Sequence, residues 1–127
     1  MRIRIPVFTV VVSLFMATAP AFTHHADVAY ETTSIVLTNA TIVSVAWVNP
    51  HGIVTCETKD ESGKPVRWIL EMGSPSAMQE VGWTRNSLSK GDVVKIDINP
   101  AKNGTHFGRL LRATLGDGKV LNYREPR

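Results

Sequence analysis

Two adjacent histidines, His24 and His25, follow a stretch with the order of a secretory signal peptide. Arg2 and Arg4 make a cationic start, an apolar run covers residues 7–16, and Ala17, Ala19 and Ala21 supply the small-residue end. Cleavage after Ala21 leaves Phe22-Thr23-His24 at the new terminus. There the amine, two deprotonated amides and the His24 ring make a square-planar nitrogen set suited to Cu(II) or Ni(II). Cleavage after Thr23 makes His24 terminal instead, so that its amine and ring chelate copper together with a histidine from elsewhere. The plainer alternative is a solvated His pair. His51, in the turn Asn49-Pro50-His51-Gly52, is the natural further ligand, because Pro50 restricts the backbone and Gly52 permits close approach. It could equally cap backbone groups of its own turn. Glu71 ends an apolar strand pattern, where a carboxylate can orient a His ring or bind a metal directly; a salt bridge to Arg67 or Arg85 is the competing reading. His106, beside Gly104, Thr105 and Phe107, reads as exposed and incidental.

Other side chains offer less. Cys56 shares a strand face with Val54 and Thr58 and reads as a buried structural thiol. Trp47 and Trp68 fall on apolar strand faces and are expected in the core, whereas Trp83 follows a short helix and could cover the barrel end or line a cleft. Asn49, Trp83 and Arg85 are the candidate ligand contacts carried by loops. The sequence has no H-E-x-x-H, G-x-S-x-G, Walker or dinucleotide motif. A non-enzymatic binding module is therefore expected, with a small molecule, peptide or protein as its ligand, and a copper- or nickel-binding protein is the alternative.

Composition narrows the partners. The chain has 127 residues, 43% hydrophobic and 20% charged, enough for one domain, and its single Cys excludes an intramolecular disulfide framework. The formal charge of +3 suggests an anionic partner until the signal segment is set aside. Without Arg2 and Arg4 the 14 basic residues become 12 against 11 acidic ones, a balance of +1. Nucleic acid is not expected as a partner, and a periplasmic or secreted location is. The apolar run is about half the roughly 20 residues that cross a bilayer, so no transmembrane segment should remain after cleavage.

The elements that must position these residues read mostly as strands. Alternation over residues 35–47 puts Ile35, Leu37, Val43, Val45 and Trp47 on one side of a long strand bent near Asn39. Strands at 53–58 and 66–72 follow, joined by the hairpin Asp60-Glu61-Ser62-Gly63-Lys64. Ser74 and Pro75 then open a helix of about two turns that carries Met78 and Val81 and stops at Gly82. Further strands are expected at 93–98, 108–115 and 119–123. Three strands, a short helix and two or more strands make a mainly β chain, a small five- to six-stranded OB-like Greek-key barrel, with an antiparallel sandwich as the alternative. The expected organisation is a signal peptide at 1–21, a flexible segment at 22–32, the β domain at 33–123 and a tail at 124–127.

Taken in order, His24-His25, Trp47-Val48-Asn49-Pro50-His51, Glu71-Met72-Gly73-Ser74-Pro75, Gly82-Trp83-Thr84-Arg85 and Leu88-Ser89-Lys90-Gly91-Asp92 resemble a family of small secreted bacterial proteins classed as a domain of unknown function. The resemblance spans essentially the whole mature chain. It implies no activity. In that family a glycine is commoner where this chain has Asn39, and a serine commonly follows the His pair where it has Ala26.

Overall fold

The computed structural model describes residues 29–124. The first strand, β1 (Ile35–Ala46), is rich in β-branched residues and twice departs from regular pairing. One irregularity falls between Leu37 and Ala40, where Asn39 has φ +52°; the other falls between Ile42 and Ser44. Asparagine is one of the few non-glycine residues that enter this left-handed region readily. Each irregularity shifts the side-chain alternation by one residue. The inward positions therefore run Leu37, Ala40, Ile42, Val45 and Trp47. This corrects the single face expected from strict alternation: Ile35 lies outward, and Ala40 and Ile42 are the buried residues of the middle of the strand.

The next two strands, β2 (Ile53–Lys59) and β3 (Pro65–Glu71), form a hairpin in full antiparallel register from Ile53↔Glu71 to Lys59↔Pro65. Its turn is organised by Asp60, whose Oδ1 accepts from Ser62 N, Ser62 Oγ and Lys64 N. These hydrogen bonds hold the exposed Asp60 carboxyl below the usual range.

The helix α1 (Pro75–Glu80) follows, capped by Ser74 Oγ accepting from Ala77 N at 3.2 Å. Met78 is its buried residue, while Val81 lies exposed just beyond its end. Strands β4 (Val93–Pro100), β5 (Phe107–Thr114) and β6 (Val120–Asn122) complete the domain.

The sheet order is β3-β2-β1-β4-β5-β6, and a parallel pairing of β3 with β5, Ile69↔Phe107 to Glu71↔Arg109, closes it. The result is a mainly β fold, a closed five-strand mixed barrel with β6 added on the outside of β5 and one short helix between β3 and β4. Closure sets the sandwich alternative aside, since both edges of the five-strand sheet meet.

The core joins Leu37, Ile42, Val54, Cys56, Leu70, Ile96, Ile98 and Leu110 from the strands with Met78, Trp83 and Leu88 from the β3–β4 connection. Each large buried side chain contributes about 1.5–3 kcal/mol. Among the described residues no helix is long and apolar enough to cross a membrane.

Candidate functional site

His51 sits in the connection between β1 and β2, and main-chain bonds fasten that connection to the exit of β3. Gly52 N donates to Gly73 O at 3.0 Å, and Met72 N donates to Gly52 O at 2.8 Å. The approach is close enough to require glycine: a Cβ at Gly52 would stand 2.8 Å from Met72 Cε and 3.2 Å from Ala46 O. Glu71 is the last residue of β3, paired with Ile53 on one side and Arg109 on the other. It is buried by its position in the closed wall of the barrel.

This packing brings His51 and Glu71 together. Nδ1 of His51 lies 3.1 Å from Glu71 Oε1 and 3.1 Å from Met72 O. Both neighbours are acceptors, so Nδ1 carries a hydrogen and the lone pair of the neutral ring belongs to Nε2. The Glu71 side chain is 8% exposed and the His51 side chain 47%. A buried carboxylate thus orients a half-exposed imidazole in the tautomer that binds a metal through Nε2.

The second oxygen of Glu71 is also engaged. Tyr30 donates its hydroxyl to Oε2 at 2.9 Å. The ring of Tyr30 stacks with Phe107, centroids 6.2 Å apart, and the Arg109 guanidinium lies 4.2 Å from its centroid. Burial, and then the hydrogen bond to Glu71 and its negative charge, push the phenol above its ordinary range against the opposing effect of Arg109. Main-chain contacts hold the same segment: Tyr30 bridges Ala101, Glu31 N donates to Pro100 O, and Lys102 N donates to Ala29 O. Residues 29–31, expected to belong to a flexible start, are therefore tied to the β4–β5 connection.

The other expected site residues fall elsewhere. His24 and His25 lie outside the described residues. Arg67 pairs with Glu57 at 2.6 Å and Arg85 is exposed, and of the two readings of Glu71 the contact to a His ring is the one observed, with Tyr30 added and the Arg salt bridge set aside. Asn49 is exposed in the His51 turn. Trp83 is 1% exposed and donates its indole N–H to Asn122 O at 2.9 Å, which makes it part of the core and withdraws it from ligand contact. Trp47 and Trp68 are partly buried against the core, and Trp68 also meets the exposed His106 ring at 4.9 Å. Cys56 is fully buried, and burial pushes its thiol up to about 11.

Tyr30 and Arg109 were not singled out by their local sequence, because neither lies in a recognisable motif and both meet Glu71 through distant pairing. Among the described residues no group of three or more His, Cys, Asp and Glu side chains could hold a metal ion. What they supply is one oriented imidazole and the carboxylate behind it.

No curated protein and no solved structure matches the chain. The family of unknown function DUF6152 matches residues 11–110, a span that includes the His51 turn, Glu71, the helix and Gly82-Trp83-Thr84-Arg85. The chain therefore belongs to the DUF6152 family of unknown function.

Proposed function

We propose that this protein is an exported, non-enzymatic binding module that takes Cu(II) or Ni(II) at the His51 end of its barrel. The observation that carries the reading is the Glu71 contact to Nδ1 of His51, which leaves Nε2 as the ligating nitrogen of a half-exposed ring. One imidazole does not hold a cupric ion tightly, so further nitrogens are required. The processed terminus with His24 and His25 supplies them. His25 is five residues from Tyr30, a distance of at most about 17 Å along an extended chain, and the Tyr30 hydroxyl is on Glu71. Export is supported by Arg2, Arg4, the apolar run and the small residues up to Ala21.

Mass spectrometry of the exported protein defines the terminus, and copper titration of that species tests the site. His51→Ala, His24→Ala and His25→Ala are each expected to weaken binding by 10-fold or more. Equal affinity across all three variants and the parent would overturn the metal reading.

A second reading, a small organic molecule or peptide, is favoured by a groove of about 560 Å³ beside the first irregularity of β1, lined by Thr38, Asn39, Thr41, Thr58 and Lys59 among others. Ligand-induced chemical shifts confined to these residues, with copper leaving His51 unaffected, would favour it.

A further inference from the structure

We infer that Tyr30 is the positioning residue of the His51 centre, acting through Glu71 to fix which nitrogen of the imidazole faces outward. The functional meaning of this role rests on the reading of His51 as a metal ligand; its structural content does not. Two charged side chains are buried among the described residues, Glu71 and Asp97, and their partners differ in kind. Asp97 receives a two-pronged contact from Arg112, Nε and Nη2 donating at 3.1 and 3.2 Å to its two oxygens. That arrangement sets a guanidinium directly against the charge. Glu71 meets instead one phenol and one imidazole, each on its own oxygen.

A carboxylate held by both oxygens cannot rotate about its last bond without losing one partner. Tyr30 is thereby a lock on the plane that presents Oε1 to His51. The lock is itself braced: Phe107 stacks on the Tyr30 ring, Arg109 lies against it, and the backbone bridges Ala101. Arg109 is also the residue paired with Glu71 in the parallel closure of β3 on β5, so brace and carboxylate share one strand register. The hydroxyl stays protonated throughout the physiological range, so it acts as a donor to Oε2.

The test uses the metal-free, processed protein with ¹⁵N-labelled histidine at about pH 8, above the ordinary imidazole range. Long-range ¹H–¹⁵N correlations identify the tautomer of each ring. The parent should show His51 as the Nδ1–H form. Tyr30→Phe keeps the ring and its stacking and removes one hydroxyl; it should convert His51 to a mixture of tautomers and lower copper affinity roughly 10-fold. Glu71→Gln, which presents an amide that can donate to Nδ1, should shift His51 towards the Nε2–H form. A His51 tautomer unchanged in both variants, with both still folded by circular dichroism, overturns the role assigned to Tyr30 even where His51→Ala abolishes copper binding. Conversely, a tautomer that moves as expected while His51→Ala leaves copper affinity intact supports the positioning role and overturns the metal reading alone.

Discussion

A single buried thiol illustrates how one residue can report on the whole core. Cys56 is fully buried on β2, paired with Trp68 of β3 on one side and Ile42 of β1 on the other, and burial raises its thiol from an ordinary 9.0 to about 11. Between those values the folded chain holds a proton that the unfolded chain has released, so stability is full below about pH 9 and falls as pH rises towards 11. Urea titrations at pH 8 and pH 11 should show the parent losing on the order of 2 kcal/mol more than Cys56→Ala over that interval. An identical loss in both proteins would show that the thiol is not desolvated. At the same scale, Gly52→Ala forces Met72 Cε to move and presses on Ala46 O, which should cost about 1–3 kcal/mol. Because Gly52 holds the turn to the exit of β3, the same substitution should weaken copper binding with His51 still present, as titration of the variant would show.

At the level of elements, β1 shows where local pattern succeeds and where it stops. The bend at Asn39 was legible, because asparagine interrupts an apolar alternation and tolerates positive φ. The consequence of the bend was not. Two irregularities move the inward set to Leu37, Ala40, Ile42, Val45 and Trp47, and alternation alone has no means of counting them. A φ of +52° is also a conformation that glycine adopts without steric cost. Asn39→Gly should leave stability within about 1 kcal/mol of the parent, whereas Asn39→Val should lower it by about 1–2 kcal/mol, readable from denaturation midpoints. The helix and its Ser74 cap were equally legible from Ser-Pro before Met78 and a glycine after it. The Tyr30 partner of Glu71 was not: it lies 41 residues away and reaches the carboxylate only through the barrel closure. His51 stands in a motif that points to a turn and Glu71 reads as a carboxylate able to orient a His ring, but that the two meet follows from the joining of Gly52 to Gly73.

For the molecule as a whole, closure depends on what fills the barrel as well as on its hydrogen bonds. Trp83 is the largest fully buried side chain among the described residues, and its indole N–H ties the β3–β4 connection to β6. Trp83→Ala should cost about 3–5 kcal/mol and release β6 before the five-strand barrel, so amide exchange at Leu121 should rise first. Uniform exchange across β1 and β6 in that variant would contradict this order. The main-chain tie of residues 29–31 to Ala101 and Lys102 has a different reach. Whatever precedes Tyr30 is confined to a sphere set by its own length, and for His25 a radius of about 17 Å corresponds to an effective concentration on the order of tens of millimolar. Under the proposed metal reading, the spacing between the His pair and Tyr30 sets affinity independently of every contact at the metal. Lengthening it by about twenty glycine and serine residues should dilute the terminal nitrogens roughly 10-fold at His51 and weaken copper binding in proportion, with no ligand altered.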